Sequence, residues 1–189
     1  MSIKKERKRY AAGMMEVVGK LEILNKDYSL KHNYNLMEHI TYRLKSKESI
    51  KQKLHNDGFT YCEKNLSKIN DIAGVRVVVA FEKDIAIVRS LILSIPNIEV
   101  IKEKDYVNNP KKSGYESYHM IVKVPVAFVD GIDFVVVEIQ IRTLIMDAFA
   151  AVHHKLVYKK ENTDLEDEFV KYSNILMDLD EKFNEYTKN

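Results

Sequence analysis

"FVVVEIQIRT", residues 134 to 143, alternates Val137, Ile139 and Ile141 with Glu138, Gln140 and Arg142. A β-strand points successive side chains to opposite faces, so the three polar groups share one face and the three apolar groups the other. Phe134 and Val136 lie further back on the polar face, and the reading assigns both to the core. One side of a central strand therefore turns from apolar to acid, amide and guanidinium toward its end. Either that side meets solvent or the change marks a site.

Working outward, "VRVVVAF" (75 to 81) reads as a second buried strand. Tyr10, Met14, Val17, Val18, Leu21 and Leu24 recur at helical spacing and predict a helix over 5 to 26. Leu36, Ile40 and Leu44, then Ile50 and Leu54, predict a second helical region that breaks around Ser46 and ends before Gly58. "DIAIVRSLILSI" (84 to 95) is a helix stopped by Pro96, and "IEVIKEKDY" (98 to 106) a strand. A basic loop, "VNNPKKSG" (107 to 114), leads to strands at 115 to 126 and 133 to 141, joined across Asp130-Gly131. A helix follows from Leu144 to Lys159. Thr163 and Glu166 form a capping box for a last helix. Its Leu165, Phe169, Tyr172, Leu176, Leu179, Phe183 and Tyr186 make an apolar seam that packs on the body or on another subunit. The order predicts an α+β fold: a mixed β-sheet with flanking helices in one domain over 1 to 189. Its parts are N-terminal helices (1 to 57), sheet and helices (58 to 160) and a C-terminal helix (161 to 189).

With 46% hydrophobic and 31% charged residues, the 189-residue chain belongs with globular proteins. No apolar run approaches the roughly 18 residues of a membrane span. "MSIKKERKRY" is basic but leads into no signal-type apolar segment, and Cys62 is alone, so the expected setting is cytoplasmic. The net charge of +2 hides a split: residues 161 to 189 carry −6 and the remainder +8. A basic body suits phosphate-bearing ligands, so such a site is expected there.

The six glycines, at 13, 19, 58, 74, 114 and 131, spell neither a dinucleotide fingerprint nor a P-loop. Bound phosphates must be held by side chains. Histidine spacing offers no HExxH zinc motif. Asp71, just before the strand 75 to 81, and Glu138 within its own strand are candidate oxygen ligands for Mg²⁺. The competing reading makes Asp71 a turn residue and Glu138 a partner of Arg142. "KEKDYVNNPKKSGYESYH" (102 to 119) sets Lys102, Lys104, Lys111 and Lys112 around Tyr115, Tyr118 and His119, pairing cations for phosphate with rings for a base. "TYRLKSKESIKQKL" (41 to 54) groups Arg43, Lys45, Lys47, Lys51 and Lys53, which taken alone read as a solvated helix face.

In chain order, "YRLKSKESI" (42 to 50), "DIAGVRVV" (71 to 78), "KDYVNNPKKSGYESYH" (104 to 119), "VEIQIRT" (137 to 143) and "HHKLVYK" (153 to 159) resemble the synthetase domain of the RelA/SpoT alarmone synthetases, in its short single-domain form. The resemblance implies a nucleotidyltransferase-like synthetase fold and transfer of pyrophosphate from ATP to the 3′-hydroxyl of GDP or GTP, with Mg²⁺ as cofactor. It implies that Arg43 and Arg76 hold adenine, with Lys45 and Ser49 aiding ATP binding. Asp71 and Glu138 would share the metal, and Glu138 would act as general base. Tyr115 would stack on guanine, with Lys104, Lys111, His119, Gln140 and Arg142 around the phosphates and acceptor nucleotide. Departures are His153 where relatives carry Glu before the matched His154, Phe149 where Trp is common, and Glu116 where Arg or Gln is frequent. No His-Asp doublet of the family's hydrolase domain occurs, which implies synthesis without degradation. A tRNA 3′ end as acceptor, a silent nucleotide- or RNA-binding module, RNA regulation and a homo-oligomer through the terminal helices stand as alternatives or additions.

Overall fold

The β-branched runs pair at the centre of the molecule. In the computed structural model, which describes residues 3–158 and 165–187, strand β2 (Ala73–Val79) lies parallel to β5 (Gly131–Thr143) with Gly74 opposite Glu138 and Val79 opposite Thr143. Strand β1 (His39–Leu44) flanks β2 antiparallel, and β4 (Tyr118–Phe128) and β3 (Glu99–Asp105) continue from β5, giving the order β1-β2-β5-β4-β3. The expected mixed sheet with flanking helices is the observed architecture. A two-residue connection joins β4 to β5, and Gly131 adopts φ +122 there, a conformation closed to side-chain-bearing residues.

Alternation decides what each face holds. Val75, Val77, Ile139, Ile141, Met120 and Val122 point to one face and are buried there with Met14, Val17, Val18 and Leu21 of helix α1 (Ile3–His32) and with Val88 and Ile92 of helix α4 (Glu82–Leu93). The other face carries Thr41, Arg76, Gln140, His119 and Lys104 in one row across all five strands, each in register with the next. Arg43, Gly74 and Glu138 form the neighbouring row. Helix α2 (Lys47–Asn56) and the short α3 (Glu63–Leu66) close one end through Ile50, Leu54, Leu66, Ile69 and Ile72. Helix α5 (Leu144–His153) runs into a π-helical turn (His154–Tyr158), and α6 (Glu166–Tyr186) packs on α4 and α5.

Three expectations require correction, and a fourth, the packing of the α6 seam on the body or on another subunit, is narrowed. Residues 39–44 form an edge strand, not part of a helix, because "HITYRL" also alternates Ile40, Tyr42 and Leu44 and is rich in β-forming residues. Helix α1 runs on to His32, where Asn33 at φ 48 ends it in a left-handed cap. Phe134 is 54% exposed rather than core, since the pairing of β2 with β5 begins at Glu138 and leaves Phe134 beyond the end of the neighbouring strand. The α6 seam faces largely outward: Phe169 is buried, but Tyr172, Leu179, Phe183 and Tyr186 are exposed. The capping box expected at Thr163 lies outside the described residues.

Candidate active site

Glu138 sits where the polar face of β5 meets β2, its side chain 13% exposed. His119 Nδ1 lies 3.3 Å from Oε1, and Gln140 Nε2 donates to Oε2 at 2.8 Å. Burial alone would push this carboxyl up, but the His119 ring and the Gln140 amide outweigh it, holding Glu138 below the ordinary glutamate range. It is therefore a carboxylate at neutral pH and can only accept, which places the His119 proton on Nδ1. On the other side of the ring, Nε2 lies 3.0 Å from the Tyr115 hydroxyl. The Tyr115 oxygen in turn accepts from Arg142 Nη2 at 2.5 Å, and the same nitrogen donates to Gln140 Oε1 at 3.0 Å. A closed network thus joins Arg142, Tyr115, His119, Glu138 and Gln140.

Lys111 extends this cluster. Its Nζ sits 4.8 Å from the Tyr106 ring centre and 4.9 Å from that of Tyr115, within cation–π range of both. The 111–115 turn is tight: the Gly114 amide donates to the Lys111 carbonyl at 2.8 Å, and the Lys111 amide to that of Tyr115 at 3.1 Å. Gly114 holds φ +73, which favours glycine. Lys104 stands on edge strand β3 opposite His119.

On the β1 side, Asp71 occupies the turn before β2 and accepts from Lys45 at 2.6 Å and from Lys53 at 2.8 Å. Burial would raise its pKa, and the two ammonium groups overcome that and lower it. Asp71 and Glu138 line one cleft of about 190 Å³ with Arg43, Arg76 and Gln140. A larger adjoining cleft, about 670 Å³, is lined by Arg43, Lys45, Ser49, Lys53 and His154 among others. Ser46 caps α2 by accepting from the Ser49 amide, and its hydroxyl also donates to Ser49 Oγ at 2.9 Å, turning Ser49 toward this cleft. Both carboxylates line one cleft, and carboxylate oxygens are the ligand type of Mg²⁺, which takes few protein ligands and keeps waters; at Asp71 such an ion would replace the contacts from Lys45 and Lys53.

All twelve residues picked out in the sequence thus lie on the polar face or at its borders. Their neighbours include groups that the sequence reading missed. Asp147, in the first turn of α5, accepts from Arg142 Nη1 and pairs with Arg76 Nη1, each at 3.0 Å, tying β2 to β5. Lys53 was assigned to a solvated face, although Ser49 and Lys53 stand four apart on α2 and so share a side. Tyr106 and Ser117 complete the packing around Tyr115 and Arg142, with Ser117 Oγ accepting from Arg142 Nε at 3.4 Å. His153, at the position of the departure from Glu, stacks on Phe149 and meets the edge of Phe169 in the α5–α6 contact.

Residues 42–163 match the family described as "Region found in RelA / SpoT proteins". The chain belongs to the RelA/SpoT family. Among curated relatives, this RelA/SpoT chain is 39% identical over 167 residues to the GTP pyrophosphokinase YwaC of Bacillus subtilis, covering 86% of this chain and 80% of that protein. Among solved structures it is similar to small alarmone synthetase 1 of Bacillus subtilis bound to its product pppGpp, with TM-score 0.90, 30% identity, and coverage of 98% of this chain and 96% of that one. The same synthetase bound to AMPCPP matches with TM-score 0.82 and 28% identity, over 98% and 95% of the two chains. Among the described residues, no helix is long and apolar enough to cross a membrane.

Proposed function

We propose that this chain is a GTP/GDP pyrophosphokinase, working as one synthetase domain over its whole length. It transfers the β,γ-pyrophosphoryl group of ATP to the 3′-hydroxyl of GDP or GTP, giving AMP and ppGpp or pppGpp. The observation that carries the reading is the placement of an ionised Glu138 between two differently built halves. Arg43, Lys45, Ser49 and Arg76 border the cleft on the β1 side, and Tyr115, His119, Gln140 and Arg142 form the network on the other.

The reaction forms a bond from the acceptor 3′-oxygen to the β-phosphorus and breaks the bond between that phosphorus and the α,β-bridging oxygen. The pair from the broken bond leaves with AMP, and Glu138 takes the 3′-hydroxyl proton. Transfer of this kind depends on holding the two oxygens in line and matching charge as it shifts. Arg43 and Arg76 supply planar guanidinium groups that stack on adenine, which lysine cannot do. Lys45 and Ser49 hold the donor phosphates. Tyr115 offers its ring to guanine, while Lys104, Lys111, His119 and Arg142 surround the acceptor's phosphates. Mg²⁺ would be held by Asp71 and Glu138, where it neutralises phosphate charge. The proposal sets this chemistry in the cytoplasm, where ATP and GTP are available.

The test offers the protein ATP and Mg²⁺ with GDP, GTP and tRNA in parallel. A 3′-pyrophosphorylated guanosine nucleotide and AMP are expected; label on tRNA alone, or no transfer by folded protein, overturns the reading. The exposed Ile175, Leu179, Phe183 and Tyr186 of acidic α6 also fit a second copy of this chain, meeting its basic α1 with the exposed Met15 and Ile23. Sedimentation of the wild type against Phe183→Glu reads this directly, with a smaller species expected for the variant.

A further inference from the structure

Helix α6 lies beyond the stretch that matches the family, yet it reaches the acceptor half of the site through two buried polar contacts. Ser173, 1% exposed, donates its hydroxyl proton to the Gly114 carbonyl at 2.6 Å. Asp180, 2% exposed, accepts from Thr143 Oγ1 at 2.5 Å. The two residues stand seven apart, about two helical turns, and so share one face of α6. Each contact lands beside a group of the acceptor network. Gly114 precedes Tyr115 in the turn that also carries Lys111, and Thr143 follows Arg142 and caps α5 by accepting from the Met146 amide at 3.1 Å.

The fit at Gly114 is close enough to fix the turn. A Cβ there would stand 2.4 Å from both Cβ and Oγ of Ser173 and 3.7 Å from the Phe149 ring. No other residue type fits, and the turn has no room to shift toward the helix. A serine and an aspartate on the inner face of a helix that leaves Tyr172, Ile175, Leu179 and Phe183 exposed are costly unless hydrogen-bonded. Each makes a hydrogen bond, and it does so to a segment that presents Tyr115 or Arg142.

We propose that Ser173 and Asp180 are positioning residues for the acceptor nucleotide. Helix α6 clamps the 111–115 turn on one side and the Arg142–Thr143 junction on the other, setting the distance between the guanine platform and the arginine that bonds its hydroxyl. Among the described residues, the side-chain bonds of Lys45 and Ser49 run to Asp71 and Ser46, and no side-chain hydrogen bond joins α6 to the β1 side of the cleft. This inference rests on the pyrophosphokinase reading and extends it to a helix outside the family's shared region.

Ser173→Ala removes one hydrogen bond without adding bulk. Since one bond contributes on the order of 1 kcal/mol, the KM for GDP is expected to rise about fivefold with the KM for ATP changed less than about twofold. Calorimetric titration with GDP alone should show the same loss without turnover, and AMPCPP should bind with unchanged affinity. Asp180→Leu should act similarly, whereas Asp180→Asn keeps an oxygen that accepts from Thr143 and should restore the GDP KM. Thermal melts accompany each variant, so a loss of folding is seen as such. Unchanged GDP constants in Ser173→Ala and Asp180→Leu, or equal losses for both nucleotides, overturn the positioning role. Wild-type protein that neither binds GDP nor makes product overturns the pyrophosphokinase reading and this inference with it. Active wild type with insensitive variants overturns this inference alone.

Discussion

The two halves of the cleft are built on opposite plans. Around Tyr115, His119, Gln140 and Arg142, side chains bond to one another, are largely buried and are backed by Asp147 and Ser117. Around Arg43, Lys45 and Ser49, cations stand on an edge strand and a short helix over an open cleft, with Asp71 as the anchor for two lysines. The Tyr115 half is pre-arranged, which would lower the ordering cost of binding the acceptor proposed for it. The β1 half, proposed for the donor, would leave its charges to the arriving phosphates. A nucleoside acceptor must present one hydroxyl in one direction, while a triphosphate can be gathered by several cations in turn.

The comparison breaks most visibly at the residue that both halves share. Glu138→Gln keeps the size and the contact to Gln140 but cannot take a proton, so kcat should fall by about 10³-fold or more with both nucleotides still bound. Activity within a few fold of wild type would remove Glu138 from the proton transfer. Tyr115→Ala should separate the halves: loss of one base-stacking platform is worth about 1–3 kcal/mol, raising the GDP KM by roughly 5–150-fold and leaving the ATP KM in place. Arg43→Ala should give the converse, a smaller rise of roughly 2–30-fold in the ATP KM, since one stacked guanidinium contributes about 0.5–2 kcal/mol. Equal changes in both constants for either variant would erase the division.

The smallest effect concerns Glu116, half-buried between Tyr115 and Ser117. Burial, then the carboxylates of Glu82 on α4 and Asp180 on α6, push its pKa up to about 7. Folded protein thus holds a proton that unfolded chain releases near 4.5, so wild-type stability falls as pH rises from about 4.5 to 7. Glu116→Gln should melt a few degrees higher at pH 8, a gap kept modest by solvent screening that closes toward pH 4.5. Identical melting at pH 8 would show that no such strain exists at the α6 contact.

Much of this was legible in the sequence, for physical reasons that differ by region. The β-branched run of β2 and the alternation of β5 announce the sheet and the row Glu138, Gln140, Arg142. Edge strand β1 is mostly exposed, and its Ile40 and Leu44 fit a four-residue spacing as well as a two-residue one. Asp71 and Lys45 were found by motif, but Asp147 was not, because an acid in the first turn of a helix already has a local explanation in the helix dipole. The α6 contacts were beyond reach. Ser173 and Asp180 meet partners 59 and 37 residues away, and a four-three apolar spacing says only that one face is apolar, never which face is covered.

The row Thr41, Arg76, Gln140, His119 and Lys104 draws one residue from every strand at a single level of the sheet. A slip of one residue in any pairing would turn that strand's contribution to the helix side. Errors of folding would therefore give silent molecules rather than sluggish ones. A nascent chain, too, has nothing to catalyse with until β5, the last strand to leave the ribosome, zips between β2 and β4.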